Sequence, residues 1–156
     1  MEIPKRMRAE LDAWNSGKGI DLEMWIGCEG RFALAVGYMT IFWPEFEVIE
    51  NFIVRKGSLM DAIREFSSQP GSSRLSVERT MNHIHLVDLH HRGCPDATPD
   101  KLLVLGTTLK EIYETKLKCQ FPDRPCAVRL YVPENTDALD EYEITFWQTA
   151  HENVDA

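Results

Sequence analysis

The densest group of chemically capable side chains lies in residues 82–91. Four of the five histidines of the chain fall within this segment, and Asp88 lies among them. Neutral imidazole is the most common side-chain ligand of transition metals, and a nearby carboxylate can orient or complete such a site. One hypothesis is therefore a metal-dependent enzyme or small-ligand site in this histidine cluster, with a candidate polar site of Asn82, His83, His85 and Asp88.

The local secondary structure decides whether these histidines can act together. Ser76 is a typical N-cap, and Glu78 follows where a helix dipole favours negative charge, which predicts a helix over residues 76–89. On a helix, His83 and His85 point about 200° apart and cannot share a metal. On a strand, they share one face.

Two interpretations of the segment stay open. In the first, His83, His85 and His90 are metal ligands. In the second, Asn82 and His85 form a buried hydrogen-bonded patch one helical turn apart, and His90 and His91 face solvent at the helix end. The chain contains no glycine-rich phosphate loop and no dinucleotide-binding fingerprint. No cofactor is predicted.

The charge of the chain is concentrated at its C-terminal end. The net charge is −8, and the residues after Arg129 include seven acids and no lysine or arginine. An acidic face of this kind can steer a basic protein partner towards it. The candidate partner-binding residues are Asp137, Asp140, Glu141 and Glu143. The negative charge also argues against sequence-independent binding to nucleic acid.

The chain shows few features of a secreted or membrane protein. No apolar segment follows the N-terminal methionine, and the longest apolar stretch, residues 32–43, is shorter than the roughly 20 residues that a bilayer requires. The four cysteines form no C-x-x-C pair, so we expect them to be reduced and mostly buried. A cytoplasmic location without membrane contact is predicted.

The hydrophobic pattern predicts a single α+β domain over residues 1–156, with a frayed tail from about residue 150. Helices are expected at 4–14, 32–42, after Ser58, at 76–89 and from Thr98 to about 121, whereas residues 20–26 fit a strand or a helical turn. Strands are expected at 46–54, 127–132 and 142–147. Because the last two adjoin each other, several helices should pack on an antiparallel sheet that includes a C-terminal β-hairpin. Gly106, in mid-helix, predicts a close approach by another backbone.

Four phrases carry a family resemblance: FWPEF at 42–46, NHIHL at 82–86, KLKCQFPDR at 116–124 and ITFWQ at 144–148. In this order they resemble a family of small uncharacterised bacterial proteins, some of which are similar to immunity-type partners of secreted toxins. The resemblance covers most of the chain and implies a single cytoplasmic bacterial domain, but it assigns no catalytic residue. A non-catalytic protein-binding domain is therefore the leading hypothesis.

Overall fold

The computed structural model describes residues 3–90, 94 and 96–152. Its helices are α1 (Lys5–Gly17), α2 (Leu22–Glu29), α3 (Phe32–Phe42), α4 (Met60–Ser67), α5 (Arg74–Met81) and α6 (Pro99–Gln120). Its strands are β1 (Phe46–Ile49), β2 (Phe52–Arg55), β3 (Ile84–His85), β4 (Cys126–Tyr131) and β5 (Glu143–Gln148). Short 3₁₀ turns cover Leu86–Leu89, Leu139–Glu141 and Thr149–His151.

The strands form two antiparallel sheets. Strands β1 and β2 make a hairpin whose two-residue turn, Glu50 and Asn51, has positive φ at both positions, as a type I′ turn requires. The other sheet has the order β3–β5–β4, with Ile84 opposite Ile144 and Cys126 opposite Gln148. The predicted α+β class with a C-terminal hairpin is confirmed.

Helix α6 packs across the sheet of β4 and β5 and supplies much of the main core. Its buried face carries Leu102, Leu109, Tyr113 and Leu117 at helical spacing. The Tyr113 ring lies edge-on to Phe46 and Phe146, at centroid distances of 5.6 Å and 6.3 Å. A smaller buried cluster joins the β1–β2 hairpin to the following helices: Phe52, Val54, Ile63 and Val77.

Gly106 lies on the buried face of α6, as the sequence predicts. A Cβ atom there would lie 2.6 Å from Leu130 Cδ1 and 2.8 Å from Leu86 Cδ1. The expected close approach exists, but its partners are the side chains of β4 and of the Leu86–Leu89 turn. The predicted close approach by another backbone is wrong, because the nearest atoms belong to side chains.

The helix predicted over residues 76–89 is also wrong beyond Met81. Ser73 rather than Ser76 is the N-cap, and the two form a capping box. The chain leaves the helix at Asn82, whose side-chain amide donates to the carbonyl groups of Ile53 and Phe146. After His83, the residues of β3, Ile84 and His85, pair with β5. Strand pairing outweighs the local helical preference because β5 offers an unpaired edge to this segment.

Residues 32–42 are helical as predicted, and residues 22–26 belong to helix α2. The expectation of mostly buried cysteines is wrong, because Cys28, Cys94 and Cys119 are exposed, although all four cysteines are free. Residues Thr149–His151 form a 3₁₀ turn in which His151 is buried, and the part of the predicted tail beyond residue 152 lies outside the described residues. None of the described helices combines the length and the apolar composition of a membrane span.

The contact at Gly106 predicts a measurable destabilisation. Gly106→Leu should lower the free energy of unfolding by about 1–3 kcal/mol, because Leu130 and Leu86 have to move aside for the new side chain. Urea denaturation followed by circular dichroism measures the change. The matched control is Thr107→Leu at the exposed neighbouring position, which should shift stability by less than about 0.5 kcal/mol. Equal effects at both positions would contradict the packing assigned to Gly106.

Candidate functional site

A cleft of about 810 Å³ lies beside the 3₁₀ turn Leu86–Leu89, the first turns of α6 and the 3₁₀ turn Leu139–Glu141. We call it the acidic cleft. Its apolar lining includes Leu86, Leu102, Leu105 and Leu139. Its polar lining includes His85, Asp88, His90, Asp96, Asp137 and Asp140. Residues from the histidine segment and from residues 137–142, which we call the acidic loop, therefore line one cleft. In the sequence they belonged to two separate hypotheses.

His85 links the two segments directly. Its Nδ1–H donates to the carbonyl oxygen of Asp140 over 2.8 Å, and the same nitrogen lies 3.3 Å from Glu143 Oε1. The pairing of β3 with β5 produces this contact, because it sets His85 opposite Glu143. His85 is only half-buried, so its predicted burial with Asn82 is not observed.

The acidic loop places exposed carboxylates at one edge of the cleft. Asp137, Asp140 and Glu141 are exposed, and in the described part of the chain no basic side chain pairs with them. The buried Tyr142 hydroxyl donates to the carbonyl oxygen of Thr136 over 3.2 Å. Burial raises the pKa of Tyr142, and the nearby charge of Asp137 raises it further. The loop is therefore anchored by its buried tyrosine and holds its carboxylates towards solvent.

Among the described residues, the cleft lining also includes a basic side chain, Lys101. Lys101 Nζ lies 3.1 Å from Asp96 Oδ2 and also donates to the Asp96 carbonyl oxygen. The Cys94 thiol donates to Asp96 Oδ1 over 2.9 Å. The Cys94 hydrogen bond, followed by that of Lys101, lowers the pKa of Asp96, whereas the bond to Asp96 raises the pKa of the Cys94 thiol. The positive charge of Lys101 thus offsets the negative charge of the neighbouring Asp96.

The structure does not gather the proposed metal ligands around one point. The His83 Nδ1–H donates to the Thr80 carbonyl oxygen over 2.6 Å, and the His83 ring lies 5.2 Å from the His85 ring. His90 Nε2 instead forms a 2.5 Å hydrogen bond with the Tyr38 hydroxyl of α3. Within the described residues, no three histidine, cysteine or acidic side chains converge on a position that could hold a metal ion. His91 lies outside the described residues.

Asn82 belongs to the interior and not to the cleft. It is 1% exposed, and its amide nitrogen lies 2.8 Å from the Ile53 carbonyl oxygen and 3.2 Å from that of Phe146. These two bonds connect β2 to β5 through the end of α5. The candidate polar site of the sequence is therefore divided: Asn82 is structural, whereas His85 and Asp88 line the cleft.

Sequence reasoning missed the buried carboxylate of Glu78, which organises this interior. Glu78 is fully buried in the second turn of α5. Its Oε1 accepts from the backbone N–H of Ile53 (2.7 Å) and from Gln148 Nε2 (2.9 Å). Its Oε2 accepts from the backbone N–H of Gln148 (2.8 Å) and from His151 Nδ1 (2.7 Å). The available signal was the spacing of four between Glu78 and Asn82, which places two polar groups on one helical face.

We call Glu78, Asn82, Gln148 and His151 the buried polar cluster. Both Glu78 oxygens are occupied by donors of the protein itself. None of the four residues lines the acidic cleft. The cluster therefore connects secondary-structure elements, and the surface chemistry of this region belongs to the acidic cleft.

The chain matches no protein-family model, and neither curated proteins nor solved structures include one that matches it. The family resemblance of the four sequence phrases therefore stays a prediction.

Removing the Glu78 carboxylate should strongly destabilise the fold. Glu78→Leu leaves the buried N–H groups of Ile53 and Gln148 without an acceptor, so the free energy of unfolding should fall by about 3–5 kcal/mol. Glu78→Gln keeps one side-chain oxygen as an acceptor and should cost less. Urea denaturation provides the measurement, with the exposed Glu111→Leu as the matched control. A loss below about 1 kcal/mol for Glu78→Leu would contradict the assigned role.

The position of Cys126 near this cluster predicts a thiol of low reactivity. Burial, followed by the negative charge of Glu78, raises the pKa of Cys126 to about 12. Because the thiolate is the reacting form, iodoacetamide should modify exposed Cys28 and Cys119 at neutral pH and leave Cys126 largely unmodified. Peptide mass spectrometry at increasing pH measures the three rates. Equal rates for Cys126 and Cys119 at neutral pH would show that Cys126 is more accessible than this structure has it.

Proposed function

We propose that this protein is a non-catalytic, cytoplasmic protein-binding domain. Its acidic C-terminal face, Asp137, Asp140, Glu141 and Glu143, and the adjoining acidic cleft bind a basic segment of a partner protein. The observation that carries the proposal is the position of Asp137 and Asp140 in the lining of the acidic cleft, near its apolar residues and without a basic partner among the described residues.

The composition of the cleft suits a lysine or arginine side chain. Such a side chain has an apolar stem and a charged head, and it binds best where both parts are accommodated. Leu105 and Leu139 offer contacts for the stem, and the carboxylates of Asp137 and Asp140 offer acceptors for the head. A volume of about 810 Å³ exceeds that of one side chain, so the cleft can take a short peptide segment.

The charge distribution favours the same class of partner. A surface whose negative charges lack internal partners attracts a positively charged protein over distances of about a Debye length, which is about 8 Å at physiological salt. His85 holds the Asp140 backbone and pairs with Glu143, so the acidic face is positioned before binding. Less conformational entropy is then lost when the complex forms.

The finer part of the proposal concerns the kind of partner. The resemblance of the sequence to immunity-type proteins supports a secreted toxin with a basic surface. A fixed acidic face suits a partner of this kind, and the contacts of His85 with the Asp140 carbonyl oxygen and with Glu143 support such a face.

Neutralising the acidic face should abolish capture of the partner. The variant combines Asp137→Asn, Asp140→Asn, Glu141→Gln and Glu143→Gln. Its matched control makes the same change in net charge at exposed positions elsewhere: Asp12→Asn, Asp61→Asn, Glu65→Gln and Glu111→Gln. In affinity capture from the native host, the unmodified protein and the control should retain the same basic proteins, and the face variant should lose them. Capture should weaken as salt rises.

The outcomes separate a specific face from general attraction of charge. Equal loss in both variants would show that only net charge matters. Unchanged capture by the face variant would disprove the electrostatic proposal. Circular dichroism of both variants establishes that the fold is retained, since Glu143 is half-buried and pairs with His85.

A further inference from the structure

A groove of about 360 Å³ lies between helix α5 and the sheet of β4 and β5. Leu130 of β4 contacts Gly106 of α6, so its neighbours Arg129 and Tyr131 point to the opposite face of the sheet, where α5 packs. We call this groove the arginine groove, because Arg79 lines it and Arg129 adjoins it. Its polar lining includes Arg79, Thr80, His83, Tyr131 and Glu143.

The side chain of Arg79 is held between two aromatic rings. Its guanidinium carbon lies 5.2 Å from the centroid of the Trp147 ring and 5.8 Å from that of the Tyr131 ring. Its Nη2 donates to the Tyr131 hydroxyl over 2.5 Å, and its carbonyl oxygen accepts from the Thr145 hydroxyl over 2.8 Å. A guanidinium group that is fixed in this way loses little conformational entropy when it binds a ligand.

Arg129 lies beside Arg79. In the register of the sheet Arg129 is opposite Thr145, the residue that bonds to the Arg79 carbonyl oxygen. Trp147 and Tyr131 lie two positions from this pair, on either side of it along the sheet. Arg79 contacts both rings, so its guanidinium group lies above the pair. The Arg129 guanidinium carbon is 5.1 Å from the Tyr131 centroid, so both arginines approach that ring from the same side.

Neither guanidinium group has a counter-charge among the described residues. Arg79 and Arg129 form no ion pair there, and Glu143, which also lines the groove, pairs with His85 instead. The chain has 25 acidic residues, so a shortage of carboxylates does not explain this. Two positive charges that are held side by side repel each other, and an anion bound between them removes this repulsion.

The groove offers two further polar groups. The His83 Nδ1–H donates to the Thr80 carbonyl oxygen, and within the described part of the chain His83 Nε2 has no hydrogen-bond partner. The Thr80 hydroxyl, on the exposed last turn of α5, also lacks a partner among the described residues. Both residues are therefore available to a ligand in the groove.

This arrangement favours a phosphate group over a carboxylate. A phosphate monoester carries a charge of about −1.5 to −2 at neutral pH and has three acceptor oxygens. A carboxylate has two oxygens in one plane, which a single guanidinium group can occupy. Two guanidinium groups from different elements, with a hydroxyl group nearby, match the larger charge and the tetrahedral shape. A volume of about 360 Å³ is at the lower end of small-molecule sites.

We propose that the arginine groove binds the phosphate group of a small soluble molecule, either inorganic phosphate or a phosphate monoester. Arg79 and Arg129 bind the phosphate oxygens, and the Thr80 hydroxyl donates a further hydrogen bond. The proposal is independent of the function proposed above, because the acidic cleft and the arginine groove have no lining residue in common.

Titration of the full chain with phenyl phosphate, followed in ¹H–¹⁵N NMR spectra at neutral pH, tests the proposal. The amide signals of Arg79, Thr80, Arg129 and Tyr131 should shift most. Inorganic phosphate and benzoate are titrated in parallel. Equal affinity for inorganic phosphate would identify the free ion as the ligand, and weaker binding of that ion would identify an ester. Benzoate, which has the ring but a carboxylate, should bind at least about tenfold more weakly than phenyl phosphate.

Three variants separate the groove from general attraction of charge. Arg129→Gln, at an exposed position, should weaken binding of phenyl phosphate about tenfold or more, because it removes charged hydrogen bonds to the phosphate. Arg79→Lys keeps the charge but loses the planar donor group, and it should have a similar effect. The matched control is Arg31→Gln, which makes the same change in net charge at an exposed position of the chain outside the groove. The control should bind like the unmodified protein.

Three results would overturn the proposal. The first is an unmodified protein whose groove amides do not shift at phenyl phosphate concentrations up to about 10 mM, which excludes even millimolar affinity. The second is an equal loss of affinity in Arg129→Gln and Arg31→Gln, which would show that only net charge matters. The third is benzoate binding as tightly as phenyl phosphate, which would show that the groove does not recognise the phosphate group. Circular dichroism establishes that each variant retains the fold.

Discussion

The buried carboxylate of Glu78 is the interaction on which the arrangement of the elements depends. A charge in the interior is costly unless hydrogen bonds replace its hydration. Glu78 obtains four, from the backbone of β2, the backbone and side chain at the end of β5, and His151. The donors come from β2 and from the C-terminal segment that holds Gln148 and His151, and the acceptor comes from α5. The carboxylate is therefore satisfied only when helix α5, the β1–β2 hairpin and the C-terminal strand are all in place.

Asn82 extends the same constraint by one helical turn and determines the path of the chain that follows. Its two hydrogen bonds hold the end of α5 between the two sheets. The chain then leaves as β3 beside β5, which brings His85 to Asp140 and Glu143. The acidic cleft is thus a consequence of the buried polar cluster, although the two have no residue in common.

Much of the fold follows from the sequence because it depends on local patterns. Thr98 and Pro99 mark the start of the long helix, Gly106 indicates tight packing, and the alternating apolar residues of the C-terminal hairpin predict its two strands. The helical assignment of residues 32–42 rests on length and composition, and it is also correct. The concentration of acids after Arg129 is equally a property of the sequence alone.

Only the tertiary structure decided the centre of the protein. Whether residues 82–86 continue a helix or join a strand depends on β5, which lies some 60 positions away in the chain, and on the carbonyl groups that Asn82 reaches. The local sequence pattern does not indicate these distant partners. The sequence by itself determined which groups were available, namely Glu78, Asn82, the histidines and the acidic loop. Tertiary pairing determined that Glu78 and Asn82 were buried and that His85 met the acids, because burial and distant hydrogen bonds outweigh local propensity.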